Sequence, residues 1–430
     1  MKKNAAGRVW EEREMKPYKI GIFGAGRGLE IAKNFALLGC EITAVCEDRP
    51  ERLAAAAGRI PAQAAVYHDF DAFTAHGFDA VVLANFFHEH APYAIECLRR
   101  GIAVFSECTA AGTLAEAVAL VRAFEKHGGV YMLAENYPQM LFNREMKRVA
   151  DGGTLGKILY AEGEYNHPGN ARDVQARKNY TYFPAHWRNH LPRTYYITHS
   201  LGPVMYITGA VPKRVTALAA FSPVEGAVPT ANFGGDKAAI VTTLNDDGSL
   251  FRVVGCAGFG AHHNAYRICG TKGQIENLRG MDGKIMLRYN DWDVPEGMQA
   301  VQLYDPAWND PDEEAIKASG HGGGDYLTAR MFLDCLDAGK QPPRPFDVYG
   351  GACMAAVGIL AHRSVLAGGT PFDVPDFRKE EERARVENDR LSPFVSPDDK
   401  DFLPCCSHPD FAPDKEQMAL YRRLVMGEER

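Results

Sequence analysis

An apolar run, Tyr18-Lys19-Ile20-Gly21-Ile22-Phe23, breaks into Gly24-Ala25-Gly26-Arg27-Gly28 and then into a helical pattern over 28–39. This order of buried strand, glycine turn and helix constrains the rest of the chain. Glycines let the backbone turn tightly and approach a pyrophosphate, and the following helix points its N-terminus at the negative charge. A second strand, 41–46, ends on Glu47. An acid about 20 residues past the glycines is placed to accept ribose hydroxyls. The turn departs from the full G-x-G-x-x-G pattern, because Leu29 holds the third position and Gly28 stands one residue early. Gly24, Gly26, Arg27, Gly28 and Glu47 are expected to hold a dinucleotide. Glu47 favours NAD, since a carboxylate repels the 2′-phosphate of NADP, although Arg49 lies close by.

The βαβ rhythm continues. Strand-like segments at 18–23, 41–46, 64–67, 80–84, 102–105 and 130–133 alternate with helical ones at 28–39, 50–58, 90–100 and 113–127. Such alternation predicts a parallel sheet covered by helices on both faces. Cofactors bind beyond the carboxyl ends of its strands. Asn85, His88, His90, Glu107, Cys108, Glu135 and Asn136 should therefore surround one crevice with the glycine turn. After Tyr137 the pattern changes. A helix at 141–150 leads into longer strands at 158–165, 214–221, 238–244, 250–256, 265–269 and 274–277, joined by turns such as Asp246-Asp247-Gly248. These suggest an antiparallel sheet, with late helices at 326–338 and 349–367 expected to cover it.

The expected fold is α/β: an N-terminal Rossmann domain over 18–136 and a C-terminal α+β domain over 137–377 with a largely antiparallel open sheet. An arm, 1–17, precedes them. A charged, proline-dotted tail, 378–430, is expected to wrap the surface or a neighbouring subunit. A length of 430 residues suits two cores. The net charge of −7 argues against a nucleic-acid surface. No apolar run reaches the roughly 18 residues of a membrane span. The charged first 17 residues lack a signal peptide's apolar core, so the cytoplasm is the expected location. Ten cysteines without C-x-x-C spacing read as core residues, with Cys405-Cys406 an incidental pair in the tail.

Tyr196 and His199 in Tyr195-Tyr196-Ile197-Thr198-His199-Ser200-Leu201-Gly202-Pro203 are three apart and would share a helix face. A phenol beside an imidazole is a plausible acid–base pair for a sugar hydroxyl. The same two residues could equally cap a helix and satisfy core hydrogen bonds. Polar residues of the second half, among them Glu164, His167, Arg188, His190, Arg193 and His263, could wall a polyol site. His186 and His190 stand at metal-pair spacing, but no acidic partner is fixed beside them, so no metal is expected.

Residues 18–377 resemble the Gfo/Idh/MocA oxidoreductase family. The resemblance is carried by the run Asp79 to His90, by Ala103-Val104-Phe105-Ser106-Glu107-Cys108-Thr109 in the place of the family's Glu-Lys-Pro segment, by Glu135-Asn136-Tyr137 and by Gly270-Thr271-Lys272-Gly273. It places His199 on the family's catalytic histidine. Cys108 stands where the family's lysine meets the reacting hydroxyl, and it supplies neither that charge nor that reach. It reads as a small packed residue beside cofactor and substrate, or as a reactive thiol. Tyr196-Ile197-Thr198-His199-Ser200-Leu201-Gly202-Pro203, the late segments His321-Gly322-Gly323-Gly324-Asp325-Tyr326 and Asp347-Val348-Tyr349, and Trp187-Arg188 are similar to one branch, the NAD-dependent glycoside hydrolases that include α-N-acetylgalactosaminidases. That branch does not retain the lysine. The resemblance implies oxidation of a sugar at C3 by bound NAD, elimination of the aglycone after loss of the C2 proton, addition of water and re-reduction, with Tyr196 and His199 as acid and base.

Three readings follow. The chain is an NAD-dependent oxidoreductase of a sugar or glycoside hydroxyl, a glycoside-cleaving enzyme that uses NAD transiently, or an NAD(H)-binding sensor without turnover. The expected site comprises His199 and Tyr196 for catalysis; Gly24, Gly26, Arg27, Gly28, Glu47, Asn85, His88, His90, Glu107 and Asn136 for NAD; and Cys108, His167, Trp187, Arg188 and His263 for the substrate. The expected partners are a small sugar or glycoside and further copies of the chain, joined through the C-terminal sheet.

Overall fold

The computed structural model describes residues 2–3, 9–10, 16–281, 283–394 and 401–428. Most of the expected arm, 1–17, and tail residues 395–400 and 429–430 lie outside the described residues.

Six parallel strands form the first sheet, in the order Ala65–Tyr67, Glu41–Cys46, Lys19–Phe23, Ala80–Leu83, Ala103–Ser106, Tyr131–Leu133. Ala80–Leu83, Ala103–Ser106 and Tyr131–Leu133 are buried throughout, as expected of a parallel sheet covered on both faces. The strand order reverses between Lys19–Phe23 and Ala80–Leu83, and this switch point opens a crevice beyond the strand ends. Gly24, Glu47, Asn85, Glu107 and Glu135 each follow a strand by one or two residues, so the topology alone gathers them at that edge.

The second sheet has nine strands, in the order Val301–Tyr304, Ile285–Tyr289, Gly273–Asn277, His263–Gly270, Ile158–Asn166, Leu250–Ala257, Asp236–Asn245, Pro212–Phe221, Phe372–Asp373. All pairs are antiparallel except Ile158–Asn166 with Leu250–Ala257, which run parallel. The sequence pattern does not show Ile285–Tyr289 or Val301–Tyr304, which are short and only partly buried. It also passes over the helices Phe70–Ala75, Val174–Tyr180 and Glu313–Ala318, none longer than seven residues.

One expectation needs correction. The first late helix, Gly324–Ala338, does not cover the antiparallel sheet. It packs beside the first Rossmann helix, Arg27–Leu37, and Phe332 lies 6.1 Å from Phe35 and 5.4 Å from Phe105 between ring centroids. The second, Val348–Leu366, lies between the Rossmann helix Leu114–His127 and the strand Pro212–Phe221. The tail wraps its own chain. Phe394, Cys405, Cys406 and Tyr421 are buried, His362 Nε2 meets the Pro404 carbonyl at 2.6 Å, and the Tyr421 hydroxyl donates to the Thr181 carbonyl. No helix among the described residues is long and apolar enough to cross a membrane.

Candidate active site

A cleft of about 810 Å³ opens at the switch point. Gly24, Gly26, Arg27, Glu47, Asn85, His90, Glu107, Cys108 and Asn136 line it from the first sheet, and Trp187, Arg188, Tyr196 and His199 from the second half. Four expected residues do not line it. Gly28 is buried, and a Cβ there would lie 2.7 Å from Ile22 Cγ2, so this glycine lets the helix sit on the strand. His88 stacks on Phe394 at 4.3 Å, and burial pushes its imidazole down to about 3. His167 Nδ1 meets His262 Nδ1 at 2.8 Å, and His263 Nε2 lies 3.3 Å from Glu164, both at the ends of strands of the second sheet. His186 and His190 form no pair: the first packs edge-on to Phe86 at 5.0 Å, and the second stacks on Phe233 at 4.7 Å.

The strand-end residues fit a dinucleotide. Gly24 has φ +101°, and a Cβ there would lie 2.3 Å from the Ala84 carbonyl oxygen, so only glycine serves. Helix Arg27–Leu37 begins without a side-chain cap, which leaves its first N–H groups free for an anion. The Asn85 and Asn136 side-chain oxygens are buried without a hydrogen-bond partner, acceptors that a bound ribose or amide would satisfy. Arg27 is held rigidly. Its Nε donates to Glu107 at 2.8 Å and its two terminal nitrogens to Asp325 at 2.9 and 2.6 Å. Asp325 also accepts from Asn136 Nδ2 at 2.6 Å and meets His321 Nδ1 at 3.0 Å. Burial alone would push the Asp325 carboxyl up, but His321 and Arg27 outweigh it and hold it far below its ordinary value.

At the end of the second strand the Glu47 carboxylate accepts the Ala25 N–H at 2.9 Å and lies 3.9 Å from Arg52 Nε. Arg49 sits over Phe86 at 4.1 Å and Phe183 at 4.6 Å and donates to the Tyr182 hydroxyl at 2.9 Å, tying the strand edge to the opposite wall. NAD is expected to bind at least tenfold more tightly than NADP, about 1.4 kcal/mol, and Glu47→Ala to narrow that gap. Calorimetry checks this, and equal or tighter NADP binding would refute it.

The expected acid–base pair lies in the same cleft. Helix Thr198–Thr208 starts after Tyr196, so helical spacing is not what joins Tyr196 to His199. The turn into the helix brings their rings to 4.9 Å. His199 is stacked under Tyr137 at 4.0 Å and edged by Tyr165 at 4.9 Å, and Tyr266 donates to its carbonyl at 2.5 Å. Its Nδ1 meets both Glu135 oxygens, at 2.8 and 2.9 Å. Gly202 permits this approach, since a Cβ there would lie 2.8 Å from Glu135 Cγ. Burial pushes the Glu135 carboxyl up, but the charge and hydrogen bond of His199 outweigh it and hold it below its ordinary value. Burial raises the Tyr196 phenol well above its ordinary value. Nδ1 is committed to Glu135, which leaves Nε2 as the free nitrogen.

Sequence reasoning set Glu135 near the crevice, Arg49 near Glu47 and His321 and Asp325 in a late motif, each without a role in the site, and missed Tyr182. The one sequence signal was the glycine run at 322–324. His321 has φ +54°, Gly322 +58° and Gly323 +95°. The left-handed histidine costs about 1 kcal/mol or more, and this backbone sets its ring against Asp325.

Family models match three stretches of the chain: "Oxidoreductase family, NAD-binding Rossmann fold" over 18–135, "GFO/IDH/MocA C-terminal domain" over 143–276 and "Glycosyl hydrolase 109, C-terminal domain" over 261–383. The chain belongs to the Gfo/Idh/MocA oxidoreductase family. It is an NAD-binding oxidoreductase of that family, and NAD is its cofactor. It is 25% identical over 404 residues to glycosyl hydrolase family 109 protein 1 of Bacteroides fragilis (strain YCH46), covering 84% of this chain and 85% of that one. It is 27% identical over 429 residues to a glycosyl hydrolase family 109 protein of Streptomyces niveus, covering 90% and 83%. In fold it is similar to levoglucosan dehydrogenase in complex with NADH and levoglucosan, with TM-score 0.70, 19% identity and coverage of 83% and 99%.

Proposed function

We propose that this Gfo/Idh/MocA protein cleaves a glycoside by a redox-neutral cycle. One observation carries the reading. The His199–Glu135 dyad and Tyr196 share a cleft with the dinucleotide turn, and a thiol, Cys108, occupies the place of the family's cation. The family's lysine usually hydrogen-bonds the reacting hydroxyl and helps move its proton, and Cys108, whose Sγ faces Glu135 at 3.1 Å, supplies no such charge. The glycosyl hydrolase 109 match over 261–383 and the relatives of that name support the same reading.

Bound NAD would take the hydride from C3 of the sugar and return it at the end of the cycle. Nε2 of His199 accepts the substrate proton, and Glu135 stabilises the imidazolium that forms. Tyr196 keeps its proton at neutral pH because burial raises its phenol, so it is the donor to the departing oxygen. Arg188, His186 and His321 line the cleft and supply hydrogen bonds to sugar hydroxyls. A glycoside and water enter, and a sugar and an aglycone leave.

The test is to incubate aryl glycosides and free sugars with the enzyme and NAD in D₂O, scoring aglycone, NADH and deuterium at C2 together. Aglycone with C2 deuterium and no net NADH is the expected result. NADH formed in proportion to sugar, without aglycone, would overturn cleavage and establish the sugar dehydrogenase. Binding of NAD with neither product would leave the sensor. We further propose that two copies pair through the outer face of the second sheet, where Leu218 and Ile240 are exposed on neighbouring strands in register. Sedimentation of a monomer at micromolar concentration would refute it.

A further inference from the structure

Cys108 is the residue that the family resemblance leaves without a task. Its surroundings assign it one. Sγ lies 3.1 Å from Glu135 Oε2, and the same carboxylate meets His199 Nδ1 and accepts the Tyr137 N–H at 3.2 Å through Oε1. Cys108, Glu135 and His199 are all buried, at 5%, 0% and 6% exposure, so no water competes for these bonds. On its other side the Cys108 N–H donates to Glu107 Oε2 at 3.2 Å, and Glu107 holds Arg27. Cys108 thus joins two hydrogen-bonded groups, one around the cofactor turn and one around the acid–base histidine.

We propose that Cys108 is a positioning residue: its S–H bond to Glu135 fixes the carboxylate against His199 Nδ1 and so keeps Nε2 the proton-accepting nitrogen. The inference rests on the acid–base role given to His199 above, and it names a residue that acts through Glu135 and not on the substrate. The thiol suits the task because burial, with the charge of Glu135, raises it well above its ordinary value. It stays a donor through the neutral range. The other groups facing His199 carry no competing charge there: burial pushes the Tyr137, Tyr165 and Tyr196 phenols far up. Farther out, Arg188 is a cation, and burial lowers the His167 imidazole, so that ring adds no charge in the neutral range.

The test compares Cys108→Ala with Cys108→Ser, both as full-length protein with NAD bound. Without the donor, more negative charge stays on Glu135 and favours the imidazolium. Cys108→Ala should therefore lower kcat about tenfold and move the acid limb of the kcat/KM profile up by about half a pH unit. KM should change less than twofold. Cys108→Ser keeps a donor and should recover both properties. A readout without turnover separates this inference from the functional reading. Nitrogen-15 NMR of His199 should show one Nδ1–H tautomer in the wild type and in Cys108→Ser, and a mixture in Cys108→Ala. Identical behaviour of alanine and serine variants, with the tautomer unchanged in both, would reduce Cys108 to a packing residue. Ligand atoms of Cys108, Glu135 and His199 lie within 4.8 Å of one another. Stoichiometric zinc retained through dialysis against a chelator by the wild type and lost from Cys108→Ser would overturn the proposal, because the thiol would then be a metal ligand.

Discussion

His199→Ala should lower kcat by about a hundredfold or more, and Tyr196→Phe should do the same, with NAD affinity unchanged in both. The geometry gives the reason. The two rings lie 4.9 Å apart in one cleft, and the lysine that would share proton transfer is replaced by a thiol turned toward Glu135. General acid–base groups typically contribute 10²–10⁴-fold. With fewer groups on hand, each remaining one carries more. The double variant should fall well short of the product of the two losses, since an acid and a base that act as a unit are lost largely together. Steady-state kinetics with calorimetric NAD titrations checks both points. Near wild-type turnover in both single variants would move the proton chemistry to other cleft residues, His186 or His321.

Glu135→Gln should cost about as much, 10²–10⁴-fold in kcat, while the protein stays folded and binds NAD. The carboxylate is fully buried and touches Nδ1 of His199 through both oxygens. An amide of the same shape keeps one acceptor but loses the charge that stabilises the imidazolium, and it allows the ring to adopt the wrong tautomer. Near-ultraviolet circular dichroism and NAD binding would show the fold intact, so that the kinetic loss is assigned to the dyad. Activity within tenfold of wild type would mean that Glu135 serves only to satisfy a buried histidine.

These two predictions differ in how they could be reached. His199 and Tyr196 were legible in the sequence because their motif is contiguous. So were the glycine turn, Glu47 and the six parallel strands, since their chemistry is written within short stretches of chain with a clear period. The partners were not legible. Arg27 pairs with Asp325 across 298 positions and His199 with Glu135 across 64. No local pattern specifies such a pairing, because it is set by how two sheets are placed against each other. His167 and His263 illustrate the reverse error. They lie close to the acid–base residues in the expected order of elements, yet strand ends deliver them to His262 and Glu164. The helix boundary at Thr198 also shows that Tyr196 and His199 meet through the turn into the helix and not through helical spacing.

Phe332 reaches Phe35 and Phe105 from a helix that begins almost two hundred residues after the last Rossmann strand. A gene fragment ending at residue 136 would therefore leave a bare aromatic face where Phe332, Leu327 and Phe346 now lie. The nucleotide-binding half is not a cassette that one recombination event could move. A transplant has to carry residues 324–346 along with 18–136, and a change at Arg27 has to be matched at Asp325. Inheritance should thus preserve the two segments as a linked pair, and chimaeras of relatives joined after the sixth strand should misfold unless both come from one parent.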